Sequence, residues 1–168
     1  NLLMLGPPGT GKTMLASRMM ALLPALNYEE ALEVAAIHSV AGLDIKPQHF
    51  LQRPFRAPHH TSSSISLVGG GSIPKPGEIS LAHRGVLFLD EVAEFPRKVL
   101  DCLREPMETG EVVISRAAAK LTFLSRFQLI AAMNPSPSGD LDSHHRSSPE
   151  QIQRYLSRLS GPFLDRFD

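Results

Sequence analysis

Apolar residues along the chain fall into short runs that are separated by segments with helical periodicity. Nearly continuous apolar runs at residues 2–5, 86–89 and 127–133 are typical of strands buried on both faces, as in a parallel sheet. Residues 14–23 and 27–39 instead have apolar positions three or four apart, which predicts helices. The alternation of these patterns predicts an α/β fold, with a mostly parallel sheet between two layers of helices.

The second predicted helix has its own start signal. Asn27 precedes it and Glu30 follows three positions later, which fits a capping box. We expect one face of this helix to pack on the rest of the domain and to contribute no chemistry. That face consists of Leu32, Ala35, Ala36 and Ser39.

A glycine-rich loop joins the first strand to the first helix. It fits the phosphate-loop pattern G-x-x-x-x-G-K-[ST] with the residues Gly6, Pro7, Pro8, Gly9, Thr10, Gly11, Lys12 and Thr13. Glycines let backbone N–H groups close around phosphate oxygens, and the helix N-terminus adds its positive end. In this pattern Lys12 reaches the β- and γ-phosphates and the Thr13 hydroxyl holds Mg²⁺. The loop therefore predicts a P-loop NTPase core that binds a nucleoside triphosphate together with Mg²⁺.

Two carboxylates, Asp90 and Glu91, directly follow the buried run at 86–89. Open α/β sheets place their ligands at this carboxyl end of the strands. We expect Asp90 to contact Mg²⁺ through water. We expect Glu91 to polarise the water that attacks the γ-phosphate, as a general base in a mainly electrostatic mechanism.

Asn134 ends the buried run at 127–133, and Pro135 biases it toward extended geometry. A neutral amide at this place hydrogen-bonds the attacking water or the γ-phosphate. The alternative is a plain turn residue, because Asn-Pro is a common turn signal. From the residues alone, both interpretations stay open.

The overall composition gives no direct sign of a nucleic-acid partner. Seventeen basic residues balance seventeen acidic ones, so DNA would have to be held by a local basic feature. The lone Cys102 suits a reducing compartment, and we expect a cytoplasmic protein. No apolar run approaches the length of a membrane span, and we expect no membrane partner.

Paired histidines, His59-His60 and His144-His145, suggest a metal site. Adjacent histidines cannot both point the same way on a strand, and no cysteine or acidic residue completes a metal-ligand spacing. We therefore do not expect zinc.

Together these motifs resemble those of an AAA+ ATPase. Residues 6–13 match Walker A, residues 86–91 match Walker B, and Asn134 matches sensor 1. One branch of that class, which includes magnesium chelatases and MCM helicases, inserts a loop into the second helix and a β-hairpin before sensor 1. Residues 62–79 and 111–123 occupy those two places here. The end of the chain is similar to the arginine-finger segment of that branch: Leu164, Asp165, Arg166, Phe167 and Asp168.

Within this branch the chain resembles the magnesium chelatase-like ComM/YifB family of bacteria. The resemblance rests on PFRAPHHT at residues 54–61, LVGGG at 67–71 and PGEISLAHRG at 76–85. Proteins of that family are associated with natural transformation, as hexameric DNA helicases that drive branch migration. The resemblance implies that residues 1–168 are the ATP-binding core of a longer chain, with an N-terminal domain and a C-terminal helical lid outside it.

The resemblance further implies a homohexameric ring. In such a ring Arg166 reaches the γ-phosphate held by the next subunit and stabilises charge in the transition state. Arg154 or Arg158 is a candidate to assist Arg166, although helix-surface arginines more often form weak ion pairs.

The two insertions of this branch carry basic residues that could contact DNA. Arg116 and Lys120 on the hairpin, with Lys75 on the inserted loop, would line the pore and contact DNA phosphates without sequence preference. The alternative is that these charges only keep a hairpin tip soluble.

Three functions are compatible with these motifs. The leading one is Mg²⁺-dependent ATP hydrolysis that drives a ring-shaped motor along branched or single-stranded DNA. The second is the motor subunit of a magnesium chelatase complex, with the chelatase subunits as partners. The third is a nucleotide-switched module that remodels a protein, in which the glycines of residues 69–71 contact that protein.

Overall fold

The computed structural model describes residues 1–116, 119–137, 139 and 148–167. Its strands are β1 (Leu2–Leu5), β2 (Phe55–Arg56), β3 (Gly69–Gly70), β4 (Lys75–Pro76), β5 (Val86–Leu89), β6 (Glu111–Arg116), β7 (Ala119–Leu124) and β8 (Gln128–Met133). Its α-helices are α1 (Lys12–Met19), α2 (Tyr28–Ala41), α3 (Ser64–Val68), α4 (Glu78–Leu81), α5 (Arg97–Asp101), α6 (Arg104–Thr109), α7 (Pro149–Leu156) and α8 (Gly161–Leu164). Short 3₁₀ turns cover Met20–Leu22, Pro47–His49 and Val92–Glu94.

Within the described residues, the central sheet has four strands in the order β1-β8-β5-β2, and neighbouring strands run parallel. Phe88 pairs with Ile130 at its centre, and Ile130 pairs with Leu2 on the other side. Because the strands are parallel, their carboxyl ends meet at one edge of the sheet. The predicted α/β fold with a mostly parallel sheet is confirmed.

Helices cover both faces of the sheet. Along β5, Val86 and Phe88 point to the layer that contains Ala16 of α1. Leu87 and Leu89 point to the opposite layer, formed by α3 to α5, α7 and α8. Every residue of β5 is buried, which explains the continuous apolar run in the sequence.

The two insertions expected from the family resemblance are present. The first contains α3, the antiparallel pair β3-β4 and α4. The backbone segments where this insertion begins and ends pack closely together, because a Cβ atom on Gly77 would overlap the carbonyl oxygen of Leu67. The second is the antiparallel hairpin β6-β7, in which Glu111 pairs with Leu124 and Arg116 with Ala119.

Helix α2 begins with the predicted capping box, in which Asn27 and Glu30 exchange side-chain to backbone hydrogen bonds. The predicted packing face of this helix is wrong. Its buried residues are Ala31, Val34 and Ile37, whereas Leu32 is 49% exposed. The buried stripe is displaced by one position, since the helix packs on residues of the loops beside it: Leu26, Ile45 and Phe50.

The acidic residues of α2 form a polar anchor that the sequence patterns did not indicate. Glu33 Oε2 accepts hydrogen bonds from Arg84 Nε at 2.8 Å and from His83 Nε2 at 3.1 Å. Glu30 Oε1 lies 3.5 Å from Arg84 Nη1, and Glu30 Oε2 lies 3.6 Å from Arg53 Nη2. These contacts fix the turn before β5, where Arg84 has a left-handed φ of 60°. The anchor therefore helps to place the strand that ends at Asp90.

His83 has the hydrogen bonds of a neutral imidazole. Its Nδ1 accepts from the backbone N–H of Arg126 at 3.0 Å, which leaves Nε2 to donate to Glu33. The ring is 1% exposed, and burial lowers the pKa of His83 below its ordinary value of 6.5. Hydrogen bonds from Arg84 and His83 lower the pKa of Glu33 below 4.5.

We expect acid to destabilise the fold through His83 first and Glu33 at lower pH. Below pH 6.5 the unfolded chain takes up a proton at His83 that the folded chain resists, so the free energy of unfolding falls. The contribution of Glu33 is present above pH 4.5 and is lost as pH falls through its lowered folded pKa. Urea unfolding at about pH 7.5 and about pH 5.5 isolates the histidine contribution.

The variant His83→Gln keeps a donor for Glu33 and removes the titration. It should lose less stability than the wild type between these two pH values. His49→Gln, at an exposed histidine, is the matched control. Equal pH dependence in the wild type and His83→Gln would contradict this role of the buried ring.

In the part of the chain that the structure describes, no helix is both long enough and apolar enough to cross a membrane.

Candidate active site

The glycine-rich loop leaves β1 and enters α1 at the carboxyl edge of the sheet. Gly9 and Gly11 have φ angles of 78° and 80°, in the left-handed region where a side chain would be strained. The backbone N–H of Gly6 donates to Met133 O at 3.2 Å, which ties the loop to the end of β8. No side chain caps α1 at Gly11, so its first-turn N–H groups stay available to an anion.

Lys12 folds back over this loop. Its Nζ donates to the carbonyl oxygens of Gly6 at 2.7 Å and Pro7 at 2.9 Å. It also donates to Asn134 Oδ1 at 3.2 Å, across 122 positions of sequence. The structure therefore places the loop lysine beside the amide that follows β8, at the point where phosphate oxygens would enter.

Thr13 and Asp90 meet on the other side of the cleft. The Thr13 hydroxyl donates to Asp90 Oδ2 at 2.6 Å, and Asp90 Oδ1 accepts from the backbone N–H of Glu91 at 3.0 Å. A hydroxyl and a carboxylate are the oxygen donors that Mg²⁺ prefers in phosphate-binding sites. This pair fits the predicted metal position.

Glu91 has an unusual backbone conformation, with φ 50° and ψ 47° in the left-handed region. Such a conformation costs a non-glycine residue about 1–3 kcal/mol and persists where neighbouring structure holds it. The bond from its N–H to Asp90 is one such restraint. The Glu91 side chain is 53% exposed and stands at the rim of the cleft.

The cleft between these groups has a volume of about 420 Å³. It is lined by the loop and by residues at the ends of β5 and β8: Pro8, Gly9, Thr10, Gly11, Lys12, Thr13, Met14, Asp90, Glu91, Met133 and Asn134. The structure thus brings together five residues that the sequence motifs indicated for chemistry: Lys12, Thr13, Asp90, Glu91 and Asn134.

Arg166 does not line this cleft. It forms an ion pair with Glu108 of α6 in the same chain, and its backbone carbonyl accepts from Asn1 Nδ2 at 2.8 Å. Arg158 also points elsewhere, since its Nη1 donates to Glu94 Oε2 at 3.0 Å and to Ala93 O at 3.1 Å.

The basic residues proposed for DNA lie on the two insertions. Lys75 is exposed on β4, and Lys120 is exposed on β7. Arg116 is the last residue of β6, next to the hairpin tip. Lys75 and Lys120 stand outside the lining of the cleft.

The described residues contain no group of three or more His, Cys, Asp and Glu side chains that could hold a metal ion. His144 and His145 lie outside the described residues. β2 ends at Arg56 and both histidines follow in a loop, so the rule that adjacent strand residues point in opposite directions does not apply to His59 and His60. Their ring centroids lie 4.0 Å apart.

The family profile described as "Magnesium chelatase, subunit ChlI" matches residues 1–168, the whole chain. The chain belongs to this AAA+ family. Across its full length it is 64% identical to competence protein ComM of Haemophilus influenzae and 63% identical to YifB of Escherichia coli. It is therefore a member of the ComM/YifB magnesium chelatase-like group, as the sequence motifs predicted.

More distant relatives also share this core. The magnesium-chelatase 38 kDa subunit of Cereibacter sphaeroides is 26% identical over 79% of the chain, and the match covers 44% of that relative. The chain spans 33% of the length of ComM and of YifB, about one third.

Proposed function

We propose that this chain is the ATP-hydrolysing core of a ring-shaped motor that acts on DNA. The observation that carries the proposal is the convergence of Lys12, the Thr13–Asp90 pair, Glu91 and Asn134 on one cleft. These groups provide a phosphate cradle, a magnesium position and a base, which together are the parts that hydrolysis of a phosphoanhydride requires.

Each residue of the cleft has a separate role in the proposed hydrolysis. Lys12 exchanges the carbonyl oxygens of its own loop for the β- and γ-phosphate oxygens of ATP. Thr13 would hold Mg²⁺ directly and Asp90 would hold it through water, and the bound ion would supply positive charge for the phosphate oxygens. Glu91 orients the attacking water and accepts its proton as the new O–P bond forms and the β–γ bridge breaks. Asn134 hydrogen-bonds the water or the γ-phosphate and leaves Lys12 free to turn toward phosphate.

In the proposed ring of subunits, a neighbouring subunit provides further positive charge at the γ-phosphate. We propose that Arg166 stabilises the γ-phosphate bound in a neighbouring subunit, as arginine fingers do. Its position outside its own cleft favours this arrangement, and so does the family resemblance. The ion pair with Glu108 would hold the arginine at the subunit edge until a neighbour docks.

The name of one relative and the basic residues on the two insertions support DNA as the proposed substrate. ComM carries the name competence protein, and exposed Lys75 and Lys120 lie on the two segments that this branch adds to the common core. Phosphate contacts from such residues are independent of sequence and weaken with salt. We propose branch migration or translocation along single strands as the work performed, within the cytoplasm, by a homohexamer of the full-length protein.

We expect branched DNA to stimulate ATP hydrolysis by the full-length protein, and the double variant Arg116→Ala/Lys120→Ala to lose most of that stimulation. Removing two phosphate contacts should raise the DNA concentration for half-maximal stimulation about tenfold. Steady-state phosphate release measured against DNA concentration, at several salt concentrations, tests this.

Lys46→Ala/Lys98→Ala is the matched control, since it removes two exposed positive charges away from the hairpin. It should keep the wild-type response to DNA. A hairpin variant that responds like this control would place the DNA contact elsewhere.

The match to magnesium-chelatase subunits favours a second candidate, the motor subunit of a complex that inserts a metal into a tetrapyrrole. Under that alternative DNA has no effect on turnover, and the large chelatase subunits co-purify with the protein. Turnover that responds to neither DNA nor chelatase subunits would point to the remodelling of a protein partner through residues 69–71.

A further inference from the structure

A side-chain bridge that the catalytic scheme does not use lies at the amino end of the central sheet. Asn1 directly precedes β1, and its Oδ1 accepts a hydrogen bond of 2.9 Å from the backbone N–H of Leu129. Its Nδ2 donates to the backbone carbonyl oxygen of Arg166 at 2.8 Å. One carboxamide therefore joins the inner strand β8 to the segment that carries the proposed arginine finger.

The bond to Leu129 extends the pairing of β1 with β8. Leu2 pairs with Ile130, so the Asn1 side chain occupies the next position along β8. Leu129 and Ile130 are buried, at 0% and 1% exposure. A buried backbone N–H needs a hydrogen-bond partner, and Asn1 provides it here. The carboxamide of Asn1 is therefore fixed to the sheet.

The backbone around Arg166 is held by the core. Phe163 is fully buried, and its ring meets the Phe167 ring edge-on, with centroids 5.3 Å apart and an angle of 77°. The backbone N–H of Arg166 donates to Phe163 O at 3.2 Å. The bond from Asn1 holds the carbonyl group of the same arginine. Together these contacts fix the direction in which the arginine side chain leaves the backbone.

The guanidinium of Arg166 is held less completely than its backbone. It forms an ion pair with Glu108, whose side chain is 52% exposed. Among the described residues, the buried Nε atom of Arg166 has no hydrogen-bond partner. A side chain with this freedom meets a phosphate reliably only when its backbone is placed correctly. A displacement of about 1 Å at a catalytic group costs on the order of 10²-fold in rate.

Strand β1 connects this bridge to the nucleotide cleft. Asn1 stands at its amino end, and Gly6, the first residue of the phosphate loop, follows its carboxyl end. At about 3.3 Å per residue, parallel strand separates these two positions by about 16 Å. The same strand therefore carries the loop that binds nucleotide in its own subunit and the anchor of the arginine.

We propose that Asn1 is a positioning residue for Arg166: its carboxamide fixes the arginine backbone to the sheet, so that the guanidinium meets the γ-phosphate of a neighbouring subunit. This inference rests on the proposed function, in which Arg166 acts as an arginine finger. It concerns the rate of hydrolysis in the assembled ring and not the affinity of a subunit for its own ATP.

The test uses the full-length protein and the variant Asn1→Asp. A carboxylate of the same shape still accepts from the Leu129 N–H, but it cannot donate to the carbonyl oxygen of Arg166. We expect kcat to fall about 10²-fold with KM for ATP changed less than about twofold. Adding Asn1→Asp to Arg166→Ala should cause no further loss.

Asn27→Asp is the matched control, since it makes the same change at an exposed asparagine. Aspartate and asparagine both cap helices well, so α2 keeps its start signal and the activity should resemble that of the wild type. Asn1→Ser lacks the Nδ2 donor and adds no charge. It replaces Asn1→Asp if thermal unfolding shows that the carboxylate is not tolerated.

Mixed rings separate an effect on the arginine from an effect on the cleft. Asn1→Asp subunits keep an intact cleft, so activity should return when they are mixed with Glu91→Gln subunits, which keep a well-placed arginine. Mixing with Arg166→Ala subunits should restore nothing, because neither subunit then supplies an effective arginine. The opposite pattern, a wild-type kcat in Asn1→Asp, or a further loss in the double variant with Arg166→Ala would overturn the proposal.

Hydrogen exchange tests the contact without turnover. In Asn1→Asp the backbone amides of residues 163–167 should exchange about tenfold faster, the ratio that corresponds to one hydrogen bond, while those of α2 keep their wild-type rates. If the wild type does not hydrolyse ATP, or if Arg166→Ala hydrolyses it normally, the proposed function fails, and this exchange still tests whether Asn1 holds the segment. Unchanged exchange at residues 163–167 would overturn the contact.

Discussion

Glu91→Gln should leave ATP binding intact and reduce turnover by about 10²–10⁴-fold. Glutamine keeps the size of the side chain and its place beside Asp90, but it cannot accept the proton of the attacking water. The binding groups, Lys12 and Thr13, are unchanged. Fluorescent-nucleotide titration and steady-state phosphate release on the full-length protein measure the two quantities separately.

Glu105→Gln is the control for this prediction, since it neutralises an exposed carboxylate on α6. It should bind and hydrolyse ATP like the wild type. Turnover of Glu91→Gln within about tenfold of the wild type would show that another group serves as the base.

Arg166→Ala should reduce turnover of the assembled protein by about 10³–10⁵-fold, the range typical of arginine fingers. ATP affinity should change little, because Arg166 pairs with Glu108 and does not line the cleft of its own chain. Arg97→Ala removes an exposed arginine from α5 and is the control.

Mixing two inactive variants distinguishes action in the same subunit from action in the next one. Arg166→Ala subunits keep an intact base, and Glu91→Gln subunits keep an intact arginine. In a mixed ring, an Arg166→Ala cleft beside a Glu91→Gln subunit has both groups, so activity should return. If mixed rings stay inactive while each variant assembles normally, the arginine does not act across the subunit boundary.

Local patterns in the sequence predicted the core of this fold. The residues of β5 are buried on both faces, and such a strand appears in the sequence as an uninterrupted apolar run. The glycine-rich loop was recognised because the phosphate-loop pattern needs glycine at fixed positions, here Gly6 and Gly11. The meeting of Lys12 with Asn134 followed from topology, since parallel strands bring their carboxyl ends together.

Contacts between separate elements were harder to predict. The buried stripe of α2 was displaced by one position, because the neighbours that select it are the loops around Ile45 and Phe50. The hydrogen bond that Arg84 donates to Glu33 joins residues 51 positions apart, and no periodicity marks either of them. Such pairs become visible only when the path of the chain between them is known.

The histidines show how an assumed local structure can mislead. The rule that adjacent residues on a strand point in opposite directions was used against a metal site at His59 and His60. The strand is only two residues long, Phe55–Arg56, and the loop after it turns both rings to one side. The approach of the two rings depends on that turn, which the sequence pattern did not contain.

Magnesium-dependent release of phosphate from ATP by the full-length protein tests the central claim most directly. We predict that phosphate appears with Mg²⁺, stops when the metal is chelated, and is nearly absent in Glu91→Gln although that variant still binds ATP. Equal phosphate release from the wild type and Glu91→Gln, or none from the wild type at saturating ATP and Mg²⁺, would contradict the assignment of this cleft as a hydrolytic site.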